Sequence, residues 1–490
     1  MATSVPFTPL IIDGQERPSA NSKTFEVYTP QSGQLVGTAA AATSQDCRDA
    51  IEAAARAQKS WEKTRPVERR DIFLKAADIL SSEPWMKLMQ EANTQEVAFA
   101  PAWSVLDSTI PSSYIRVQAG LVDQLKGQVY PSVHLPGIQV HVQPRAKGVL
   151  LAIAPWNAPG ALTIRAIAIP IFCGNAVVLK GSELSPRMHY LITKAFHEAG
   201  LPKGVLNCIS VAQSDTPSLV SEIIAHPLIR HVNFTGSDRV GRIVAMEAAK
   251  HLKPCVLELG GKAPTVVLQD ADLNEAAKAI VDSALLNSGQ VCMSTERVIA
   301  HKSIAEKLIA IIRNIVSGLK AGDLTTDPSA KLGPLFSTAS ADRLVGILKD
   351  AKESGAEVIL GDLANNKSIV QPHLIKDVKP GMKIWDEESF GPVIVFATFA
   401  TVDEAIELAN ASSFSLTSSV WSADVMLAQE IAYQIRYSAV NINGPTIHSE
   451  PSDGLIGLSG SSGYGRFDVA NFTDKRTMMI HPKGRTYALA

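Results

Sequence analysis

Hydrophobic and polar residues follow two different periods along this chain of 490 residues. From Ser44 to about Asn93 apolar residues recur at helical spacing, which predicts helices over DCRDAIEAAARAQKSWEK and RPVERRDIFLKAADILSSE. Between Gly127 and Pro144 the residues are β-branched, interrupted by proline and partly alternating. That pattern is typical of an exposed hairpin or of edge strands.

After Gly148 the pattern changes to apolar strands separated by helical segments. GVLLAIAP, NAVVLKGSE, GVLNCISV and IRHVNFTGS read as strands, with IRAIAIPIFCG and SPRMHYLITKAFHEAG as two of the intervening helices. A second alternation of the same kind begins after Pro254. Strands separated by helices of this length indicate βαβ units and parallel sheets. We therefore predict two α/β domains that join in the 250s.

Composition excludes several classes of partner. The 46 basic and 48 acidic residues give a net charge of −2, so no basic field is available for nucleic acid or an anionic membrane. The cysteine count is five, without a CxxC pair, which argues against a disulfide framework and for a reducing compartment. No signal peptide or uninterrupted apolar span is present. We predict a cytoplasmic protein that acts on a small molecule, with no metal motif.

Three short segments carry residues suited to catalysis. In NSGQVCMSTERV, Cys292 follows a Gly-Gln turn, where it is either an accessible nucleophile or a buried small hydrophobe. In LELGGK, Glu258 lies on an apolar strand that would raise its pKa toward that of a general base, or it is an ordinary acid at a strand end. In PWNAP, Asn157 could donate to an oxyanion or simply form a turn.

Two further segments carry residues suited to binding a nucleotide. LKGSE places Lys180 and Glu183 at a strand end, where they could hold a ribose or lie in a solvated loop. FTGSDRVG leads from a strand into a helix opened by glycine, which suits a phosphate but also an ordinary turn. No GxGxxG, Walker A, HExxH or GxSxG motif supports another chemistry.

Together these motifs resemble one family in residue type, order and spacing. PWNAP, LKGSE, FTGS, LELGGK, GQVC and EESFGP are similar to segments of the NAD(P)-dependent aldehyde dehydrogenase superfamily, from about Leu10 to Arg476. The resemblance implies an α/β fold with a Rossmann-like cofactor domain, a second α/β catalytic domain and a small β oligomerisation arm. The implied boundaries are 1–123 and 147–258 for the dinucleotide-binding domain, 259–450 for the catalytic domain, and 124–146 and 468–490 for the oligomerisation segments.

The resemblance also implies a reaction. Cys292 would attack the aldehyde, the Asn157 amide and the Cys292 N–H would hold the oxyanion, and Glu258 would activate the water that hydrolyses the thioester. The spacing of Glu258 and Cys292 is that of the members that release a free acid. A relative that transfers the acyl group to coenzyme A has no need of such a base. A non-catalytic protein of the same fold is the alternative from another class.

The cofactor implied is NAD, with NADP possible. The implied cofactor-binding residues are Ile153, Trp156, Lys180, Glu183, Gly236, Ser237, Gly241, Leu259, Glu388 and Phe390. Glu183 favours NAD because a carboxylate repels a 2′-phosphate, whereas Lys180 would soften that repulsion. The family usually has proline where this chain has Gly181, and we expect the glycine to loosen the ribose-binding turn.

The endings SGYGRF and VNINGPTIHSEP look most like the branch of salicylaldehyde, vanillin and benzaldehyde dehydrogenases. This branch implies an aromatic or otherwise bulky aldehyde; an aliphatic aldehyde or semialdehyde, or an intermediate of aromatic polyketide biosynthesis, stays open. The pocket candidates are Trp103, Leu106, Tyr114, Ile447 and Ile456. The segment 455–460 departs from the family pattern, which affects the substrate channel. A homodimer or homotetramer is expected.

Overall fold

The computed structural model describes residues 5–448, 457–485 and 489 of the chain. In this described part the α-helices are α1 (Ser44–Trp61), α2 (Pro66–Leu80), α3 (Glu83–Val97), α4 (Pro101–Ala119), α5 (Pro159–Phe172), α6 (Pro186–Glu198), α7 (Thr216–Ala225), α8 (Asp238–Lys250), α9 (Leu273–Leu285), α10 (Ala305–Val316), α11 (Thr338–Glu353), α12 (Lys383–Asp386), α13 (Val402–Asn410) and α14 (Val425–Gln434). The helices predicted after Ser44 are confirmed as α1 and α2.

The strands of the described residues are β1 (Phe7–Thr8), β2 (Leu10–Ile12), β3 (Gln15–Arg17), β4 (Thr24–Tyr28), β5 (Leu35–Ala40), β6 (Gln128–Pro131), β7 (Gln139–Ala146), β8 (Val149–Ile153), β9 (Ala176–Lys180), β10 (Leu206–Ile209), β11 (Ile229–Thr235), β12 (Cys255–Glu258), β13 (Ala263–Val267), β14 (Thr295–His301), β15 (Glu357–Leu360), β16 (Asn365–Asn366), β17 (Ile369–Val370), β18 (His373–Lys376), β19 (Val393–Phe399), β20 (Thr417–Trp421), β21 (Ala439–Ile442), β22 (Gly463–Tyr464) and β23 (Thr473–Ile480).

The first large sheet has the order β22-β12-β11-β8-β9-β10-β2-β3. Strands β8 to β12 are parallel, and β22, β2 and β3 add antiparallel edges. The chain passes from β8 through β9 and β10 on one side, then returns to β11 and β12 on the other. In open parallel sheets, ligands bind at the carboxyl ends of the strands where the order reverses, which here lies between β8 and β11.

The second large sheet has the order β15-β18-β19-β14-β13-β20-β21, and all its strands except β15 run parallel. The chain enters it directly, because only four residues, 259–262, separate β12 from β13. The carboxyl ends of the first sheet therefore face the amino ends of β13, β14 and β19. The predicted change of domain in the 250s coincides with this link, although the domain boundaries themselves stay a prediction.

Apolar runs in the sequence become strands and helices that are buried on all sides. Every residue of β8, β9 and β13 is buried, as expected for parallel strands covered by helices on both faces. Helix α5 begins at Pro159, earlier than the predicted segment IRAIAIPIFCG, because proline is well suited to the first position of a helix.

A separate three-stranded antiparallel sheet joins β6, β7 and β23 in the order β23-β7-β6. Its strands fall within the two segments predicted for oligomerisation. Every residue of β6 and seven of the eight in β23 are exposed, including Val129, Met479 and Ile480.

Across residues 5–448, 457–485 and 489, no helix is long and apolar enough to cross a membrane. The same residues contain no group of three or more histidine, cysteine or acidic side chains placed to hold a metal ion.

Candidate active site

A cleft with a volume of about 1200 Å³ lies where the two large sheets face each other. Its walls include all but one of the side chains predicted for catalysis and cofactor binding. Those lining it are Ile153, Trp156, Asn157, Lys180, Glu183, Gly236, Ser237, Glu258, Leu259, Cys292, Glu388 and Phe390. Gly241 lies behind the wall, where a Cβ would come within 2.4 Å of the Leu259 side chain, so the glycine lets α8 pack against Leu259.

The loop before Cys292 is held in an uncommon backbone conformation. Asn287, Ser288 and Gly289 all have positive φ, and a Cβ on Gly289 would come within 2.1 Å of the Gly391 carbonyl oxygen. Gln290 ties this loop to a neighbouring segment, since its Oε1 accepts from the Phe336 N–H at 2.9 Å. Such strain persists only where surrounding contacts fix it and is concentrated at functional sites. The Gly-Gln turn of the sequence is therefore a rigid support for Cys292.

The segment LELGGK brings three functional groups together. Glu258 ends β12, and the two glycines that follow leave room for groups from the second sheet. A Cβ on Gly260 would lie 2.5 Å from the Glu388 carboxylate, and one on Gly261 would lie 2.1 Å from the Cys292 carbonyl oxygen. Any larger residue at either position would displace Glu388 or Cys292. The double glycine is thus explained by close approach.

Glu258 is almost completely buried, with 1% of its surface exposed. Its Oε2 accepts a hydrogen bond from Arg165 Nη2 at 2.5 Å. Arg165 is not among the residues predicted for the site. The signal that could have identified its role is that Arg165 is the single charged residue in α5.

Asn157 follows β8 and is held from both ends. Its side-chain Nδ2 donates to the Gln290 carbonyl oxygen at 3.1 Å, which places the amide beside the loop of Cys292. Its own carbonyl oxygen accepts from Trp103 Nε1 at 3.0 Å and from Asn287 Nδ2 at 3.3 Å. These bonds join the residue to α4 and to the strained loop, so the amide has one defined position.

The thiol of Cys292 is half-buried and its protonated form is favoured. Burial raises the pKa of Cys292 well above its usual value, and the negative charges of Glu258 and Glu388 add to the rise, whereas Arg165 lowers it. The thiol needs a base nearby before it can react as a thiolate. The Glu258 carboxylate faces Cys292.

The carboxyl ends of β8, β9 and β11 form a surface that fits a dinucleotide. Helix α8 begins directly after Ser237, and its first residues, 238–240, line the cleft, so that its N-terminus is available to a phosphate. Gly236 keeps this approach open, because a Cβ there would lie 2.5 Å from the Phe234 ring. Its N–H donates to the Glu258 carbonyl oxygen at 3.1 Å, which connects the phosphate turn to the base.

The LKGSE turn lies against a buried histidine. Lys180 is 5% exposed, and its Nζ lies 3.2 Å from Glu183 Oε2. A Cβ on Gly181 would come within 2.6 Å of the buried His189 ring, whose Nδ1 lies 2.6 Å from Thr163 Oγ1. Burial lowers the pKa of His189 to about 3, so the ring is neutral. The histidine ring explains why glycine stands at position 181, and the expected loosening of the turn stays a prediction.

A buried ion pair supports the EESFGP segment. Lys262 Nζ contacts the Glu296 carboxylate, which also accepts from the Ser389 N–H at 2.9 and 3.0 Å. This support holds Phe390, whose φ is 52°, in a left-handed conformation. Glu388 accepts from the Gly261 N–H at 2.8 Å, and burial raises the pKa of the Glu388 carboxyl to about 8. The sequence analysis missed Lys262 and Glu296 because neither lines the cleft.

Glu388→Gln is expected to gain stability relative to the original protein as the pH rises from 5 to 8. The folded state keeps a proton on Glu388 up to about pH 8, whereas an unfolded chain loses it near pH 4.3, so stability falls across this window. Glutamine does not titrate. The difference in Tm should grow by roughly 3–4 °C. Thermal melts at both pH values, without cofactor and with exposed Glu387→Gln as control, measure it; a constant difference contradicts the assignment.

Apolar and aromatic side chains surround the side of the cleft where Cys292 and Asn157 meet. The buried members of this cluster are Val97, Phe99, Trp103, Ala158, Ala161, Leu162 and Val291. Ile447 and Met293 pack against it. The Trp156 ring lies 4.6 Å from the Phe336 ring and 6.1 Å from the Phe390 ring, and Phe336 is a cleft residue that the sequence analysis missed.

The five predicted pocket residues are placed differently from one another. Trp103 and Ile447 belong to the cluster beside Cys292. Tyr114 packs instead against the core of the first large sheet, and Leu106 is 36% exposed. Ile456 lies outside the described residues, as does part of the unusual 455–460 segment.

Comparison with known proteins agrees with this geometry. The model of the aldehyde dehydrogenase family matches residues 17–479. Vanillin dehydrogenase of Pseudomonas fluorescens is 40% identical over 485 residues, which cover 98% of this chain and 99% of the relative. A crystal structure of a salicylaldehyde dehydrogenase from Pseudomonas putida G7, complexed with salicylaldehyde, is 38% identical with a TM-score of 0.94, covering 99% of this chain and 100% of the other. A structure of an NAD-dependent aldehyde dehydrogenase from Sinorhizobium meliloti is 28% identical with a TM-score of 0.93, covering 99% and 97%.

The chain therefore belongs to the aldehyde dehydrogenase family. It is an NAD(P)-dependent oxidoreductase that converts an aldehyde to the carboxylic acid. The family and the fold inferred from the sequence motifs are both confirmed.

Proposed function

We propose that the substrate is an aromatic aldehyde and that Cys292, Asn157 and Glu258 carry out its oxidation. The observation that supports the substrate class is the cluster of apolar and aromatic side chains beside Cys292, which includes Trp103 and Leu162. A flat ring packs favourably on such side chains. Similarity to vanillin, salicylaldehyde and benzaldehyde dehydrogenases supports the same class.

In the first half of the proposed reaction, the Cys292 thiol gives its proton to solvent water and the sulfur bonds to the aldehyde carbon. The oxyanion of this thiohemiacetal accepts hydrogen bonds from Asn157 Nδ2 and the Cys292 N–H. These donors are fixed before the reaction, and such preorganised donors typically contribute about 10²–10³-fold in rate. The position of Nδ2, 3.1 Å from the Gln290 carbonyl oxygen, supports this role because it keeps the amide next to the nucleophile.

In the second half, the oxidised carbon is a thioester on Cys292. Lys180, Glu183, Ser237 and Glu388 line the cleft and would hold NAD(P), which would supply the acceptor for the hydride. Glu258 then takes a proton from a water molecule that adds to the acyl carbon, the carbon–sulfur bond breaks, and the acid leaves. The cofactor preference proposed is NAD, because Glu183 at the cleft wall disfavours a 2′-phosphate. Lys180 lies beside Glu183 and partly offsets its negative charge, so NADP should be accepted, but less well than NAD.

The test is NADH formation by the purified protein with a panel of aldehydes. The panel runs from acetaldehyde and hexanal to benzaldehyde and ortho-hydroxylated aryl aldehydes, each with NAD and with NADP. We expect kcat/KM to be at least about tenfold higher for aryl than for aliphatic aldehydes, since a ring buries more apolar surface. Turnover of aliphatic aldehydes alone would contradict the aromatic assignment.

We further propose that the sheet formed by β6, β7 and β23 is the arm through which copies of the chain associate. Val129, Met479 and Ile480 leave apolar surface exposed on this sheet, and no strand among residues 5–448 and 457–485 pairs with its outer edges. The mass in solution, measured by light scattering, distinguishes a dimer from a tetramer.

We also propose that the protein is located in the cytoplasm, because its number of cysteines is odd.

A further inference from the structure

One charged side chain lies in a helix that is otherwise apolar and buried. Helix α5 has the sequence PGALTIRAIAIPIF, and Arg165 is its one residue that is not fully buried. A guanidinium in such surroundings is costly unless an anion or a set of acceptors surrounds it. Its contacts therefore indicate what it is for.

Three groups hold the Arg165 guanidinium in place. Nη2 donates to Glu258 Oε2 at 2.5 Å and to Thr235 Oγ1 at 3.2 Å. The Phe467 ring lies 5.1 Å from the guanidinium carbon, close enough for a cation–π contact. Glu258 lines the cleft and Arg165 does not. Arg165 can therefore affect the reaction through its contact with Glu258 and not by touching the substrate.

The two oxygens of Glu258 differ in their environment. Oε2 is bound to Arg165, whereas Oε1 is buried and has no hydrogen bond of normal geometry within the described residues. The other charged or titratable groups that face this carboxylate are Cys292, from the loop before β14, and Glu388, from the segment before β19. Arg165 is therefore the cation that pairs with the Glu258 carboxylate.

We propose that Arg165 is a positioning residue for the hydrolysis of the thioester: it holds Glu258 Oε2 and so leaves Oε1 as the atom that takes the proton from the attacking water. This inference rests on the proposed function of Glu258. In the step, one O–H bond of water breaks as its proton passes to Oε1, the hydroxyl bonds to the acyl carbon, and the carbon–sulfur bond breaks to leave the Cys292 thiolate. The proton on Oε1 then returns to the thiolate or to solvent.

The position of Arg165 on α5 links the two halves of the reaction. Asn157 lies two residues before the start of this helix, and Arg165 lies within it. A single rigid helix therefore fixes both the oxyanion donor and the anchor of the base. Displacement of the base by as little as 1 Å can lower the rate about 10²-fold. Loss of the contact that anchors Glu258 should therefore be measurable as a lower rate of hydrolysis.

Arg165→Gln and Arg165→Lys test the proposal, with benzaldehyde and NAD as the probe. In R165Q, NADH formation in the first turnover should stay within about threefold of the original rate, while steady-state kcat falls about tenfold or more, so that a burst of NADH appears. R165K keeps the cation and should restore kcat to within about threefold. Thermal melts and NAD binding measured by protein fluorescence check that each variant is folded.

The split between the two rates separates this role from a merely structural one. A variant that is only less stable should lose the first turnover and the steady-state kcat together, whereas loss of the anchor should lower kcat and keep the first turnover. R165K keeps the cation and should restore kcat. An unchanged kcat in R165Q would overturn the proposal, and so would an equal loss of both rates.

The double variant E258Q/R165Q gives an independent measurement. If Arg165 acts through Glu258, removal of both should slow hydrolysis no more than E258Q alone, because residues in one unit are not additive. A further tenfold loss would overturn the proposal. This comparison also serves if R165Q does not fold, since the double variant leaves neither charge unpaired. Turnover by Cys292→Ala would reject the proposed function itself. If Cys292→Ala is inactive but R165Q behaves like the original protein, only the inference about Arg165 is rejected.

Discussion

Cys292→Ala should reduce NADH formation with any aldehyde by a factor of about 10⁴ or more, because alanine cannot form the covalent intermediate. The strained loop of positive-φ residues and the Gly261 contact hold position 292 through the backbone, so the smaller side chain should not alter the fold. NAD binding, followed by protein fluorescence, should therefore persist. The measurement is steady-state and first-turnover absorbance at the wavelength of NADH.

The matched control for this variant is Cys255→Ala. Cys255 is the other partly exposed cysteine among the described residues, and it begins β12 rather than facing the cleft. Its removal should leave kcat and KM unchanged within about twofold, in line with a substitution away from functional groups. Full turnover by Cys292→Ala would remove the nucleophile assignment and require another covalent or direct-transfer mechanism.

Glu258→Gln is expected to separate the two halves of the reaction. The amide keeps the size of the side chain but cannot take a proton from water, so hydrolysis of the thioester should slow by about 10²–10⁴-fold. If hydride transfer is less affected, stopped-flow measurements will show a burst approaching one NADH per subunit followed by a slow steady state. Acid release, measured separately, should follow the slow phase.

Glu96→Gln is the control for loss of a buried glutamate near an arginine. Glu96 lies 3.6 Å from Arg187, is 4% exposed and does not line the cleft. The control should keep its steady-state kcat within about threefold even if it lowers Tm. Equal loss of the burst and the steady state in Glu258→Gln would mean that Glu258 is needed to deprotonate Cys292 rather than to activate water.

The sequence predicted those parts of the site that are encoded in short segments. LELGGK places Glu258, Gly260 and Gly261 within four residues, and strict limits on space make its glycines recognisable. The alternating strands and helices likewise predicted two parallel sheets, because buried parallel strands appear as continuous apolar runs. The reversal of strand order, which places the cleft, was not predicted and is seen only in the structure.

Contacts between distant residues could not be predicted in the same way. Arg165 meets Glu258 across 93 positions, and Lys262 meets Glu296 across 34, so no local pattern reveals either pair. The spatial reason for Gly181 likewise lies in the His189 ring, which packs from α6. Each of these depends on tertiary packing, which overrides what a short segment indicates.

The strand that carries Glu258 is completed by β22, which pairs Gly463 with Glu258 and Tyr464 with Leu257. During translation the ribosome makes β12 long before it makes β22. Until then one edge of the first sheet stays unpaired, and an unpaired edge invites aggregation. A nascent chain can thus assemble strands β8 to β12 early. The edge of β12, the strand that carries Glu258, is paired only near the end of synthesis. Stop codons before position 463 should therefore yield insoluble fragments rather than slow enzymes.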